Sequence, residues 1–264
     1  MKLFRILVCV ALLTGVSAGA AADTLNIAPC DEAAVSLFGG IFTLSRSGGV
    51  LRHYRDGELQ HQYSGTRSAG KLVLQDPLRP VLDEPDLVYV LDAGNNRVLA
   101  WDRFLNLHSV TALDGDIALA ADFTVTSGHA WLIYDAFRQE ILQVSPRENY
   151  LQRWGDRSVS GDIELRRCGS GISLHLRDER KLRLTDNRGN TLQEYTLPDS
   201  LEVERVFPLD ERSFGLSCAQ GLFLWEPQAG NCRLLIVLPQ VVLLERQDKG
   251  FILINREGVV IRIP

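Results

Sequence analysis

The sequence predicts an all-β fold, and three observations support this prediction. Short runs with apolar residues at alternating positions recur along the chain and are separated by turns rich in Asp, Asn, Gly and Pro. These turns return about every forty residues. After residue 22, no stretch of useful length places apolar residues at the i, i+3, i+4 and i+7 positions of a helix. We therefore expect repeated antiparallel hairpins and no substantial helix.

The first 22 residues are predicted to be a secretory signal peptide. Lys2 and Arg5 flank an apolar run from Ile6 to Leu13, and Ala20-Ala21-Ala22 before Asp23 matches an A-x-A cleavage site. We expect an exported protein, periplasmic or extracellular, whose residues 23–264 form one domain. No other long apolar segment follows, so no membrane span is expected in the mature chain.

Composition excludes one class of partner. The chain has 264 residues and is 45% hydrophobic, enough to bury a sizeable core. Its formal net charge is −5 at pH 7. Nucleic acid is therefore not expected as a partner, because phosphate binding needs a basic face.

The clearest hairpin runs from Val88 to Trp101. Apolar residues alternate on both sides of the turn Asp92–Asn96, in which Gly and Asn tolerate positive φ and Asx side chains can bond their own backbone. The segment Val90-Leu91-Asp92-Ala93-Gly94-Asn95-Asn96-Arg97-Val98 resembles the core of an NHL repeat, the strand–Asp-x-Gly-Asn-x-Arg–strand unit of a β-propeller blade. The resemblance implies a propeller in which Asp92, Asn95 and Arg97 tie one blade to its neighbour; ligand contact is the alternative.

The hairpin count predicts six blades of four strands. Five outer hairpins are visible, centred on 55–58, 102–106, 145–149, 186–190 and 226–231. The last segment, 240–264, has only three strand-like runs, and Thr24–Ala28 is an isolated strand, so we expect that strand to pair with Val259–Ile263 and close the ring. The predicted blades are 31–66, 70–113, 116–156, 161–198, 201–239 and 240–264 with 24–28. Leu74–Pro85, with three prolines, is predicted to be a loop.

The candidate binding residues lie in turns between the second and third strands, which share one face with the inter-blade loops. Arg138, Arg177 and Arg256 occupy turns in which the NHL-like pattern is lost, so the architecture does not require them. The same face is expected to carry Asp92, Asn95 and Asp135 of the proposed binding set, together with Arg46, Asp178 and Glu257. The alternative for the three arginines is exposed ion pairing with Asp135, Asp178 and Glu257.

No catalytic residue, metal ligand or cofactor is predicted. The histidines are scattered, at positions 53, 61, 108, 129 and 175. Cys168-Gly169-Ser170-Gly171 lacks the helix that follows a nucleophile elbow. Asp114-Gly115-Asp116 lacks the further ligands of a calcium loop and is interpreted as an inter-blade turn.

Four cysteines remain after the signal peptide, and an oxidising compartment would allow three pairings; free thiols are the alternative. The strand order places Cys30 and Cys218 toward the loop-bearing face and Cys168 and Cys232 toward the other. A Cys218–Cys232 bridge is therefore not expected, and Cys30–Cys218 is favoured if any bridge forms.

Two functions from different classes follow. The first is a non-enzymatic exported scaffold that binds a protein, peptide or cell-envelope ligand through its loop face. The second is a propeller hydrolase or lyase with a metal-dependent site at the channel mouth, and carboxylate, Asn and His side chains clustered at one end of the channel would favour it. A third hypothesis is carbohydrate binding through exposed aromatic side chains. The sequence leaves the oligomeric state open.

Overall fold

The computed structural model describes residues 23–65, 72–83, 87–113, 115, 117–145, 150–155, 159–247 and 250–263. The predicted signal peptide, Asp114 and Asp116, and residues 146–149 of the third outer hairpin lie outside the described residues. Twenty-four strands form six antiparallel sheets of four, so the chain is a six-bladed β-propeller. Within the described part of the chain, no helix is long and apolar enough to cross a membrane.

The strands of each blade run in order from the innermost to the outermost. Blade 1 contains β2 (Glu32–Val35), β3 (Ile41–Ser45), β4 (Val50–Arg55) and β5 (Glu58–Ser64), and blade 2 contains β6 (Pro77–Asp83), β7 (Leu87–Asp92), β8 (Arg97–Asp102) and β9 (Leu107–Ala112). Blade 3 contains β10 (Ala120–Val125), β11 (Trp131–Asp135), β12 (Glu140–Ser145) and β13 (Tyr150–Arg153), and blade 4 contains β14 (Ile163–Cys168), β15 (Gly171–Leu176), β16 (Lys181–Thr185) and β17 (Thr191–Thr196). Blade 5 contains β18 (Val203–Pro208), β19 (Phe214–Cys218), β20 (Gly221–Glu226) and β21 (Asn231–Ile236), and blade 6 contains β22 (Val241–Gln247), β23 (Gly250–Asn255), β24 (Val259–Ile263) and β1 (Asp23–Asn26).

The N-terminal strand closes the ring, as the sequence predicts. β1 pairs antiparallel with β24, with Asp23 opposite Arg262 and Asn26 opposite Val259. Just beyond the pairing, the Ile27 amide donates to the Gly258 carbonyl at 2.9 Å. This pairing satisfies the outer edge of β24, which would otherwise be exposed.

The innermost strands β2, β6, β10, β14, β18 and β22 pack side by side in that order and surround the central channel. Every innermost strand begins at an inter-blade loop, and the turn between the second and third strands of each blade lies at the same end. We call this end the turn face and the other end the opposite face.

The core lies between the blades. Six apolar clusters fill the six interfaces between neighbouring blades; in one of them, Trp101 of blade 2 packs with Leu44 and Leu51 of blade 1. Trp101, Trp131, Trp154 and Trp225 are all buried. They pack between blades and offer no stacking surface to a carbohydrate.

The loop predicted over Leu74–Pro85 is wrong for most of its length. β6 spans Pro77–Asp83, with Pro77 opposite Asp92, Pro80 opposite Val90 and an irregular register between them. Prolines are tolerated here because an innermost strand pairs on only one side, so a missing N–H on its channel edge breaks no ladder.

The cysteine positions follow the predicted strand order, but all four are free thiols. Cys30 and Cys218 lie at the turn-face ends of their segments, and Cys168 and Cys232 lie near the opposite face. The favoured Cys30–Cys218 bridge is therefore not formed. Cys30, Cys168 and Cys218 are buried, whereas Cys232 is exposed.

Candidate functional site

The turn face carries every residue that the sequence placed there. The turns that follow β3, β7, β11, β15 and β23 all reach it. They contain or directly adjoin Arg46, Asp92, Asn95, Asp135, Arg138, Arg177, Asp178, Arg256 and Glu257. The candidate residues therefore share one surface, spread over five of the six blades.

In blade 2, the NHL-like residues hold the backbone together. The fully buried Asp92 carboxylate accepts hydrogen bonds from the Gln75 amide at 2.6 Å, Asn95 Nδ2 at 2.8 Å and Arg97 Nε at 2.8 Å. Arg97 Nη2 donates to the Val73 carbonyl at 2.9 Å. Asp92, Asn95 and Arg97 thus fasten this turn to the loop that arrives from blade 1, which is the structural role that the resemblance implied.

In blade 3, Asp135 has a similar role. Its buried carboxylate accepts from the amides of Ala118 and Leu119 in the inter-blade loop, and from the Phe137 amide in its own turn. Arg138 Nη1 donates to the same carboxylate at 2.8 Å. Burial alone would raise the pKa of Asp135, but these donors outweigh it and lower the pKa. Asp135 therefore stays ionised and fixes the turn.

The other two candidate arginines pair with carboxylates different from those expected. Arg177 Nη1 donates to Asp162 at 2.8 Å and Arg177 Nη2 to Glu164 at 3.1 Å. Arg256 Nε lies 3.7 Å from Asp31. The expected partners in their own turns, Asp178 and Glu257, form no ion pair with them, because the inter-blade loops carry Asp162 and Asp31, and β14 carries Glu164, to the arginines.

A charged cluster inside the channel was missed from the sequence. We call it the channel cluster; its members are Glu32, Arg79, Asp122, Glu164, Arg166 and Arg205. All six lie on innermost strands, and most stand in the half of the strand nearest the turn face. Three acids and three arginines balance one another, with side chains no more than 17% exposed.

Two bidentate pairs join different blades through the channel. Arg79 on β6 donates to both Asp122 oxygens on β10, at 2.9 and 3.3 Å, and to backbone carbonyls of β10 and β14. Arg205 on β18 reaches Glu32 on β2, which lies two blades away, at 2.7 and 2.8 Å. These pairs link separate blades of the ring and rigidify the channel wall.

Glu164 is the centre of the cluster. It accepts from Arg166 Nε at 2.8 Å and from Arg177 at 3.1 Å, while Arg79 lies 3.8 Å away and His175 3.9 Å away. Burial alone would raise the pKa of Glu164, but Arg166, His175 and Arg79 hold it well below its usual range. Arg166 also stacks on the ring of Phe207, 4.7 Å from its centroid.

The channel cluster holds each acid in an ion pair, which limits its chemistry. Burial raises the pKa of Asp122 to about 6, partly offset by Arg79, so this carboxyl is the one closest to a proton-transfer range. No group of three or more His, Cys, Asp or Glu side chains within the described residues is placed to hold a metal ion. The sequence signal of this cluster is one or two charges in the first half of five of the six innermost strands, all except β22. From local patterning alone these strands could not be seen to converge.

The turn face also carries exposed apolar side chains. Phe137 is 76% exposed and Leu119 is 56% exposed. The Ala136 amide donates to the Leu119 carbonyl at 2.9 Å, so the backbone segments that carry these two residues lie side by side. Phe137, Leu119 and Arg138 form what we call the blade 3 patch.

Comparison with solved structures shows the fold. The chain is similar to streptogramin B lyase, with 9% identity and a TM-score of 0.61 over 91% of this chain and 96% of that one. It is similar to virginiamycin B lyase from Staphylococcus aureus, with 8% identity and a TM-score of 0.61 over 92% and 98% of the two chains. It is also similar to the RRP9 WD40 repeats, with 11% identity and a TM-score of 0.61 over 90% and 95%. No protein-family profile and no curated protein matches the sequence. Identities this low show a shared propeller fold alone.

Proposed function

We propose that this six-bladed propeller is an exported, non-enzymatic scaffold that binds a protein or peptide partner, or a ligand of the cell envelope, through its turn face. The propeller fold supports a binding role, because it presents many loops on one rigid surface. The N-terminal sequence supports export.

The blade 3 patch is the observation that carries this proposal. A phenylalanine that is 76% exposed beside an exposed leucine is an apolar surface available to a partner. The turn beneath it is fastened by Asp135, which binds both the inter-blade loop and Arg138. Aromatic side chains, phenylalanine among them, and arginine are both enriched at protein interfaces relative to the rest of the surface.

The arginines of the turn face fit an acidic partner. Arg138, Arg177 and Arg256 have side chains 38%, 34% and 51% exposed. Each is paired with a carboxylate of this chain while part of its side chain stays exposed. A planar guanidinium recognises a carboxylate with two hydrogen bonds, so a peptide C terminus or an acidic envelope polymer is the chemistry that this surface suits.

The test is site-specific photo-crosslinking from position 119, an exposed position of the same patch, in the source cells, combined with variants at positions 137 and 138. The double variant Phe137→Ser with Arg138→Ala should lose the crosslinked partner. Leu192→Ser removes a comparably exposed apolar side chain from the outermost strand β17 and should leave partner recovery unchanged. Equal recovery from both variants would exclude the blade 3 patch as the binding site.

A hydrolase or lyase is the second candidate function, and the channel cluster is the observation that favours it. Asp122, whose pKa is raised to about 6, lies in the channel half nearest the turn face, and streptogramin B lyase has a similar fold. Elemental analysis of the purified protein tests the metal-dependent form of this idea. A stoichiometric divalent metal would favour the enzyme over the scaffold.

A further inference from the structure

A second concave site lies on the opposite face, between blades 1 and 2. It is a pocket of about 240 Å³. Four of the rings that line it contact one another: Phe42 and His53 from adjacent strands of blade 1, His61 from its outermost strand, and Phe104 from the outer hairpin of blade 2. A cavity of about 150 Å³ is enough to hold benzene, so this pocket has room for one substituted aromatic ring.

The four rings form a continuous array. Phe42 and His53 are stacked with centroids 4.4 Å apart and planes 7° apart, and His53 stacks on His61 at 5.9 Å and 18°. Phe104 meets His61 edge to face at 5.5 Å and 88°. The array therefore contains both stacked and edge-to-face ring pairs, the two arrangements that aromatic side chains prefer.

His53 contributes as an uncharged ring. Its Nδ1 is buried and has no hydrogen-bond partner among the described residues. Burial, followed by the neighbouring His61, lowers the pKa of His53, so its imidazole is neutral at neutral pH. Gly40 makes room for it, because a Cβ at that position would lie 2.7 Å from His53 Nε2.

Among the described residues, two arginines lie at the edge of the pocket. Arg55, in the outer hairpin of blade 1, and Arg103, in that of blade 2, both line it and are exposed. Neither forms a salt bridge with any described residue. The Arg103 guanidinium lies over the Phe104 ring, 4.8 Å from its centroid. Phe38, which is 69% exposed, lines the same pocket.

We propose that this pocket binds a small aromatic carboxylate, with the ligand ring against the aromatic array and its carboxylate paired with Arg55 and Arg103. The apolar rings match the hydrocarbon part of such a ligand, and the two guanidinium groups match its charge. The site lies on the opposite face and is independent of the turn-face function proposed above.

Calorimetric titration of the purified protein with phenylacetate tests this proposal. Cyclohexylacetate keeps the charge and size but lacks the aromatic face, and benzyl alcohol keeps the ring but lacks the charge. We expect phenylacetate to bind at least about tenfold more tightly than either, a difference of about 1.4 kcal/mol. Equal binding of the three compounds, or no binding of phenylacetate up to about 10 mM, would overturn the proposal.

Variants locate the site. The double variant Arg55→Gln with Arg103→Gln should weaken phenylacetate binding at least about tenfold. Arg188→Gln, which removes an exposed arginine from the corresponding hairpin of blade 4, should leave binding unchanged. All these substitutions are on the surface, so both variant proteins should fold. Unchanged phenylacetate binding in the double variant would place the carboxylate of the ligand elsewhere and refute the site.

A second pair of probes distinguishes a peptide C terminus from a free aromatic acid as the ligand of this pocket. A capped dipeptide that ends in phenylalanine is compared with its C-terminal amide. If the acid binds as tightly as phenylacetate and the amide does not, the pocket accepts a peptide C terminus. If only phenylacetate binds, the ligand is a free aromatic acid.

Discussion

Replacing Glu164 with glutamine tests whether the channel cluster serves the fold. Glutamine keeps the shape of the side chain and removes its charge. In the native protein, Glu164 accepts from Arg166 and Arg177 and faces Arg79. The variant therefore leaves three buried or half-buried guanidinium groups short of their shared counter-charge.

The expected loss of stability is large. Removing one partner of a buried ion pair costs about 3 to 5 kcal/mol, because the remaining charge stays desolvated. For a domain of this size, about 3 kcal/mol lowers the melting temperature by roughly 6 to 12 °C. Urea denaturation followed by tryptophan fluorescence measures the change directly, since the four tryptophans are buried between blades.

The pH dependence has a definite sign. The pKa of Glu164 is lowered in the folded state, so the folded protein keeps this carboxylate ionised at pH values where the unfolded chain has taken up a proton. Its stabilising contribution is present above its ordinary pKa of 4.5 and is lost as the pH falls through the folded-state value. The stability difference between wild type and Glu164→Gln should therefore shrink as the solution is acidified.

Glu194→Gln is the matched control. Glu194 also pairs with two basic side chains, Lys181 at 3.1 Å and Arg183 at 2.9 Å, but its side chain is 32% exposed on the outermost strand. Although the Arg183 side chain is only 10% exposed, water reaches the Glu194 carboxylate and can solvate the group left behind, so losing these pairs should cost well below the figure of about 3 to 5 kcal/mol expected at Glu164. Equal denaturation midpoints for the two variants would refute the argument that burial gives the channel cluster its strength.

Three further predictions concern the closure of the ring by β1, the turn at Gly258 and the four free cysteines. Deleting residues 23–28 removes β1 and exposes the edge of β24, so light scattering should show aggregation; a monomeric product with an unchanged melting temperature would mean that the ring closes without this strand. Gly258→Ala should destabilise the fold more than Gly230→Ala. Both positions have positive φ, which costs an alanine about 1 to 2 kcal/mol, but only at Gly258 would the new Cβ also meet a backbone oxygen, 2.3 Å away. Equal unfolding free energies of the two variants would contradict this prediction. Alkylation of the native protein should modify Cys232 alone among the four described cysteines. The other three are buried, and burial raises the pKa of the Cys30 thiol to about 12. Peptide mass mapping that finds Cys30 alkylated as fast as Cys232 would contradict the fold around Cys30.

Local patterning was sufficient for the architecture. Alternating apolar residues and Asx- and Gly-rich turns are recognised from neighbours in sequence, and each hairpin is a short-range structure. The missing fourth strand of blade 6 and the isolated strand before blade 1 together predicted the closure that β1 and β24 make. The turn face followed from the same strand order, so Arg138, Arg177 and Arg256 could be placed together without coordinates.

The pairing of charges was decided only by tertiary structure. Arg205 and Glu32 are 173 residues apart in sequence, and they meet because the ring brings β18 and β2 to the same channel. Pro77 and Pro80, which locally favour a loop, lie in a strand because its channel edge needs no donors. The aromatic pocket joins His53 and Phe104 from two blades in the same way. The sequence by itself determines the strands and turns, because those contacts are local. The tertiary structure decides which side chains share the channel, the turn face or a cleft between blades, because this depends on how six nearly independent sheets are arranged around one axis.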